Sequence, residues 1–126
     1  MLDPFHILIA EDEVLAAMAL EDFLSLRGFR VTVAANGVEA LERYVSQRVH
    51  ALVTDLRMPR MDGQTLIREI RERDATLPVV VMTGYLNQDS DLTHERWKPL
   101  EIFSKPVNPR TICETLNRML GLPQRA

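Results

Sequence analysis

This chain of 126 residues contains one cysteine, two lysines and no long apolar run, and each of these features excludes a class of structure or partner. Cys113 is the only cysteine, so no internal disulfide can form, and a small buried hydrophobe is the role we expect for it. No apolar run approaches the roughly 18 residues of a membrane span, and the N-terminal residues lack the basic start of a signal peptide. These absences predict a protein of a reducing, cytoplasmic compartment with no membrane partner.

Lysine occurs only as Lys98 and Lys105, so arginine supplies nearly all of the 15 basic residues. The formal net charge is −3 and the sequence has no basic stripe, which excludes nucleic acid as an expected partner. A chain of this length fits one domain, and we expect residues 1–126 to form a single domain with a core from about 6 to 120.

Short apolar runs alternate with segments of helical periodicity along the whole chain. The alternation at 30–34 predicts an edge strand, whereas the unbroken apolar run at 79–82 predicts a strand buried on both faces. A short helix is expected at 90–97. Five β–α units in this order predict a doubly wound α/β domain with a parallel sheet. The first helix is predicted by an apolar stripe that ends before Gly28 and consists of Val14, Leu15, Met18, Ala19, Phe23 and Leu26.

Four of the predicted strands run into residues that could handle a phosphate or a metal ion. The first strand leads into Glu11 and Asp12, and the later ones lead into Asp55, Thr83 and Lys105. Ligands of open α/β sheets bind where the carboxyl ends of the strands meet, so we expect these five side chains to converge at one edge.

These residue types at one edge suit phosphoryl transfer. Glu11, Asp12 and Asp55 would repel one another unless a hard divalent cation such as Mg²⁺ offset their charge. Asp55 could attack a phosphoryl group as a nucleophile, Lys105 could neutralise a phosphoryl oxygen, and the Thr83 hydroxyl could donate to another. Such transfer needs positioning and charge neutralisation above all.

In these residues the sequence resembles the receiver domain of bacterial two-component response regulators. The resemblance covers about residues 6 to 120, and as a fold it implies a flavodoxin-like (βα)5 domain with strand order 2-1-3-4-5. The matching segments are Glu11-Asp12, Asp55-Leu56-Arg57-Met58-Pro59, Met61-Asp62-Gly63, Thr83-Gly84 and Lys105-Pro106.

The resemblance implies that Asp55 accepts a phosphoryl group from a phosphohistidine on a histidine kinase or a histidine phosphotransferase. It also implies that Glu11, Asp12, Asp55 and the backbone carbonyl of Arg57 hold Mg²⁺. Such a protein catalyses only its own phosphorylation and dephosphorylation, and is not otherwise an enzyme.

For the phosphoryl oxygens, the resemblance implies contacts from Thr83 and Lys105, with a cis peptide between Lys105 and Pro106. It implies a downstream protein target bound through the last two βα units, by a monomer or weak homodimer. The initiating methionine and short tail favour a stand-alone regulator over a receiver cut from a hybrid kinase or from a longer regulator.

Several positions depart from the family pattern. Glu11 stands where many relatives carry Asp, and Ile102 stands where the family often has an inward-turning Tyr or Phe. Isoleucine cannot serve as that aromatic switch, while Phe103 should face the opposite side of the strand and join the core.

Three further residues lie beside the expected site or at the end of the sheet. Arg57 and Tyr85 follow Asp55 and Thr83 by two positions, and our hypothesis is that they regulate water access and therefore the lifetime of the phosphoryl group. Trp97 could cover the end of the sheet or anchor a partner.

Three other functions remain open from the residues. The chain could be the receiver of a hybrid histidine kinase or an intermediate of a phosphorelay. An aspartyl-nucleophile phosphohydrolase would commonly place a second Asp two residues after the first, where Arg57 stands here. A flavodoxin-like flavin carrier would need a phosphate loop after the first strand, where Glu11, Asp12 and Glu13 would repel a phosphate.

Overall fold

Five parallel strands form one sheet with helices on both faces. The computed structural model of the chain describes residues 3–84, 92 and 95–123. The strands stand in the order β2-β1-β3-β4-β5, and every neighbouring pair is parallel, so the predicted topology is confirmed. The elements are β1 (His6–Ala10), α1 (Val14–Leu26), β2 (Arg30–Ala34), α2 (Gly37–Ser46), β3 (Ala51–Asp55), α3 (Gly63–Arg73), β4 (Val79–Thr83), a 3-10 turn (Glu95–Trp97), β5 (Leu100–Ser104) and α4 (Pro109–Met119).

Two apolar layers cover the sheet. Along β1, Leu8 and Ala10 face the layer formed with α2 and α3, whereas Ile7 and Ile9 face the layer formed with α1 and α4. All of β1, β3 and β4 is buried, while β2 at the edge keeps partly exposed residues. The predicted edge strand and the predicted fully buried strand are therefore confirmed.

Short polar side chains fix where three of the helices begin. The Asn36 side chain accepts the backbone N–H of Glu39 at 2.9 Å at the start of α2. Asp62 accepts that of Thr65 at 2.8 Å at the start of α3, and Asn108 precedes Pro109 at the start of α4. Because each cap satisfies an N–H that has no partner within the helix, the loops after the strands turn sharply into helices.

The predicted helix α1 is confirmed, but its predicted apolar stripe is wrong. Its buried residues are Ala17, Leu20 and Leu24, with Phe23 partly buried beside them. Apolar residues occur all round this helix, so periodicity alone does not single out the inner face. The side chains that remain largely exposed are Val14, Leu15, Met18 and Leu26.

The predicted helix at 90–97 falls largely outside the described residues, of which Glu95–Trp97 form a 3-10 turn. Trp97 is 7% exposed and packs in the layer of α2 and α3, so it covers the end of the sheet. None of the helices in the described parts of the chain has the length and apolar character needed to cross a membrane.

Two histidines tie the strands together at the edge opposite to the carboxyl ends. The His6 backbone N–H donates to His50 Nδ1 at 2.9 Å, and the His50 N–H donates to the His6 carbonyl at 2.8 Å. His6 Nδ1 lies 2.8 Å from the Arg48 carbonyl, and its Nε2 lies 2.7 Å from the Thr32 hydroxyl. His50 Nδ1 must be unprotonated to accept, since an imidazolium has no acceptor.

Acid is expected to destabilise the protein through His50. Burial, with Arg48 and His6 nearby, lowers the pKa of His50 from its ordinary 6.5. As the pH falls through 6.5, the unfolded chain takes up a proton that the folded chain resists, so stability declines until the folded pKa is reached. In His50→Asn the side-chain oxygen can still accept the His6 N–H. Urea unfolding at pH values from 7.5 to about 5 should show a shallower decline for this variant than for wild type. Equal declines would contradict the role of His50.

Candidate functional site

The carboxyl edge of the sheet brings together the acidic residues that the sequence singled out. Glu11 and Asp12 follow β1, and Asp55 ends the adjacent strand β3. Each of the three offers a carboxylate oxygen, and these oxygens lie within 4.8 Å of one another. Glu11 and Asp55 are 3% and 6% exposed, whereas Asp12 is exposed. The cluster is therefore buried at its base and open on one side.

Lys105, which directly follows the edge strand β5, also contacts this cluster. Its Nζ donates to Asp55 Oδ2 at 2.7 Å and to Glu11 Oε1 at 2.8 Å, and Glu13 lies 3.9 Å away. The Lys105 backbone N–H donates to the Thr83 carbonyl at 2.8 Å, which fixes the residue beside the end of β4. The peptide between Lys105 and Pro106 is cis, as the resemblance implied.

The ionisation of these groups reflects both burial and pairing. Burial raises the pKa of Glu11 above its ordinary value, although the bonded Lys105 ammonium acts in the opposite direction. Burial disfavours the charged form of Lys105, but hydrogen bonds and attraction from Asp55 and Glu11 outweigh it and raise the pKa of Lys105 above its usual range. One ammonium thus stands among three carboxylates, and the cluster has room for more positive charge.

The donor set fits a hard divalent cation. Such ions prefer oxygen ligands, and Mg²⁺ in particular binds through one or two carboxylates while keeping several waters. Glu11, Asp12 and Asp55 supply the carboxylates, and the exposed side at Asp12 leaves space for water.

The loop after β3 is held close to Asp55. The Arg57 backbone N–H donates to Asp55 Oδ1 at 3.2 Å, and the Gly63 N–H donates to the Leu56 carbonyl at 2.9 Å. A Cβ at Gly63 would lie 2.1 Å from the Asp55 carbonyl oxygen, so this position admits only glycine. Met61 packs into the core from the same loop.

Of the remaining predicted residues, Thr83 ends β4 and Ile102 lies on β5. Thr83 is 1% exposed and lies at the same edge as the cluster. Ile102 packs against the layer of α2 and α3, whereas Phe103 packs against the layer of α1 and α4, so the predicted alternation is confirmed. Both side chains are partly buried. Tyr85 lies outside the described residues.

Sequence reasoning missed two features of this edge. Glu13 stands near Lys105, and the run of three consecutive acidic residues was the available signal. The exposed apolar residues Val14, Leu15 and Met18 directly follow it at the start of α1, with exposures of 69%, 81% and 51%. Their exposure could not be read from a helix that is apolar all round.

Comparisons with known proteins converge on one family. The family model described as response regulator receiver domain matches residues 7–117. The response regulator MprA of Mycobacterium ulcerans is 36% identical over 122 residues, covering 95% of this chain and 50% of the relative. The chain spans about half the length of the curated relatives that it matches.

Solved structures give the same result. The receiver domain of the hybrid histidine kinase CckA is 29% identical with a TM-score of 0.77, covering 91% of this chain and 98% of that one. The response regulator TrrA of Thermotoga maritima, solved in complex with Mg²⁺-BeF, is 27% identical with a TM-score of 0.81, covering 92% and 99% of the two chains.

Proposed function

This chain belongs to the response regulator receiver family, and from that membership we propose that Asp55 accepts a phosphoryl group from a phosphohistidine. Receiver domains are generally signalling domains without an enzymatic activity toward other substrates. The observation that supports the proposal best is the position of the Lys105 ammonium, which lies within 2.8 Å of carboxylate oxygens of both Glu11 and Asp55. The acidic cluster around it is buried at its base and open to solvent on one side.

In the proposed reaction, an Asp55 carboxylate oxygen attacks the phosphorus in line with the bond to the imidazole nitrogen. The new O–P bond forms as the N–P bond breaks, and the electron pair of that bond stays on the leaving nitrogen. The imidazole leaves as a neutral molecule because its other ring nitrogen carries a proton taken up from solvent. Lys105, already at the acceptor oxygen, would shift its ammonium to a phosphoryl oxygen, and Thr83 would donate its hydroxyl to another. Pro106 would fix the direction of Lys105.

Glu11, Asp12, Asp55 and the backbone carbonyl of Arg57 would hold the Mg²⁺ that the reaction requires. The ion supplies positive charge opposite the developing negative charge of the phosphoryl oxygens. The Mg²⁺-BeF complex of the relative TrrA supports this assignment. Glu11, which is one methylene longer than Asp, also accepts a hydrogen bond from Lys105 Nζ at 2.8 Å.

Arg57 and Tyr85 are proposed to control how long the phosphoryl group survives. Arg57 is exposed, and its backbone contacts the acceptor carboxylate. Ile102 lacks an aromatic ring that could turn inward, so we propose that the phosphorylated state acts through the last two βα units without an aromatic switch at this position.

The chemistry is tested by incubation with a small phosphodonor and Mg²⁺, followed by intact mass measurement. Wild type should gain one phosphoryl group, and Asp55→Asn should gain none because an amide oxygen is not a competent nucleophile. Asp22→Asn makes the same change at an exposed position of α1 and should behave as wild type. A folded wild type that gains nothing, or an Asp55→Asn variant that does, would contradict the proposal.

The donor is proposed to be a histidine kinase or a histidine phosphotransferase that packs on the start of α1. Its imidazole must approach Asp55, and Val14, Leu15 and Met18 form an exposed apolar surface directly after Glu13. Exposed apolar patches beside functional groups are typical of protein interfaces.

Leu15→Gln should therefore slow phosphoryl transfer from the protein donor about tenfold or more, because an anchor side chain at an interface contributes about 2 kcal/mol. The measurement uses the best donor from a panel of autophosphorylated histidine kinases. Phosphorylation by a small phosphodonor should not change. Leu26→Gln, at an 83% exposed residue of the other end of α1, is the matched control. If Leu15→Gln and Leu26→Gln slow phosphoryl transfer from the protein donor equally, this surface is not the docking site.

The likeness to the receiver of the hybrid kinase CckA favours a second candidate, a receiver that passes its phosphoryl group on within a phosphorelay. Transfer from phosphorylated Asp55 to a histidine phosphotransferase would distinguish it from a terminal regulator. In either case we propose that residues 1–126 act as one cytoplasmic receiver unit, with a core from about 6 to 120, as a monomer or weak homodimer.

A further inference from the structure

A cleft at the edge of the sheet opposite to the acidic cluster is lined by aromatic rings. It encloses about 840 Å³ where the N-terminal ends of β1, β2 and β3 meet α1 and α4. Volumes of about 300–1,000 Å³ are typical of small-molecule sites. Phe5, Phe23 and Phe29 line it, and Phe29 is only 8% exposed. The guanidinium of Arg27 lies 4.5 Å from the centre of the Phe23 ring. We refer to this cleft, whose lining also includes Arg48, Arg110 and Cys113, as the aromatic cleft.

Arginines outnumber acidic residues by one in the lining of the aromatic cleft. Arg27, Arg48 and Arg110 line it, against two acidic residues, Asp3 and Glu114. Within residues 3–84, 92 and 95–123, none of these three arginines forms an ion pair with a carboxylate. Since the whole chain carries a net charge of −3, this positive excess is local.

We propose that the aromatic cleft binds a small aromatic anion. The flat rings of Phe5, Phe23 and Phe29 would pack against an aromatic body, and ring pairs gain more than their buried area alone provides. The planar guanidinium groups would pair with a carboxylate or sulfonate, for which their fork of donors is suited. A neutral aromatic compound would cover the arginines without offsetting their charge. The aromatic cleft shares no residue with the acidic cluster, so this proposal stands apart from phosphoryl transfer.

Cys113 provides a reporter within the aromatic cleft. It lies in the wall formed by α4, is 5% exposed, and is the only cysteine of the chain. An occupant would lie between the thiol and solvent and should therefore slow its reaction with a neutral disulfide reagent.

The test uses 8-anilinonaphthalene-1-sulfonate as the probe and N-phenyl-1-naphthylamine as its neutral counterpart. The sulfonate should bind native wild type at one saturable site, raise its Tm and slow labelling of Cys113. Arg27→Gln combined with Arg110→Gln should weaken sulfonate binding about tenfold or more, because charged hydrogen bonds to the sulfonate are lost, and should leave the neutral probe unchanged.

The matched control combines Arg43→Gln with Arg68→Gln, which removes the same charge from exposed positions on α2 and α3. The control should bind the sulfonate as wild type does. Equal weakening in both variants, unaltered Cys113 labelling, or fluorescence without a rise in Tm would overturn the proposal, since the last result indicates binding to a partly unfolded state.

Discussion

Replacing Lys105 with methionine is expected to lower the free energy of unfolding of the metal-free protein by about 3 kcal/mol at neutral pH. The change removes the ammonium that lies 2.7 Å from Asp55 and 2.8 Å from Glu11, and it leaves two buried carboxylates facing each other. The lower end of the range for breaking a buried pair applies because the Lys105 side chain is 23% exposed. Acid should reduce the loss, since protonation of a carboxylate removes the repulsion.

The other lysine provides the control for this experiment. Lys98 pairs with Glu95 at 2.9 Å, but the two side chains are 54% and 82% exposed. Lys98→Met should therefore change stability by no more than about 0.5 kcal/mol in urea unfolding. Mg²⁺ should stabilise Lys105→Met more than it stabilises wild type, because the ion replaces the lost positive charge. Equal effects of the two lysine substitutions would show that Lys105 does not offset the acidic cluster.

Gly63→Ala is expected to destabilise the protein by more than about 2 kcal/mol and to slow phosphorylation by a small phosphodonor. The new Cβ would lie 2.1 Å from the Asp55 carbonyl oxygen and 2.9 Å from the Leu56 Cα. Both are backbone atoms of the β3 end, so relief of the clash must shift the segment that carries Asp55. A displacement of the acceptor by even about 1 Å can reduce a rate substantially.

Gly84→Ala makes the same substitution where, among the residues that the structure describes, no neighbouring atom lies within 4 Å of the added Cβ. Its effect on the free energy of unfolding should stay below about 1 kcal/mol. Thermal and urea unfolding of the two variants compare the two positions directly. A Gly63→Ala protein as stable as Gly84→Ala would contradict the close approach of the β3 end and α3.

The convergence of Glu11, Asp55, Thr83 and Lys105 was predictable because it depends on two general regularities. Apolar runs mark the strands, and parallel strands connected by helices end at one edge. Each of these residues could be identified from its position at the end of a strand, although Glu11 and Lys105 lie 94 residues apart in the sequence.

The contacts within that edge were less predictable. The bridge from Lys105 to Glu11 depends on side-chain rotamers and on burial, which strand periodicity does not determine. The buried face of α1 could not be predicted either, because Val14, Leu15 and Met18 are apolar like core residues but are exposed. The hydrogen bonds between His6 and His50 join the starts of β1 and β3, and no sequence motif predicts this pairing.

The proposed acceptor is tested most directly by borohydride reduction of the phosphorylated protein, followed by peptide mass mapping. Borohydride converts an aspartyl phosphate to homoserine, so it marks the residue that carried the phosphoryl group. We expect homoserine at position 55 alone, and only after incubation with the phosphodonor and Mg²⁺. Reduction products at Glu11 or Asp12, or none anywhere in a protein that has gained a phosphoryl group, would contradict the assignment of Asp55.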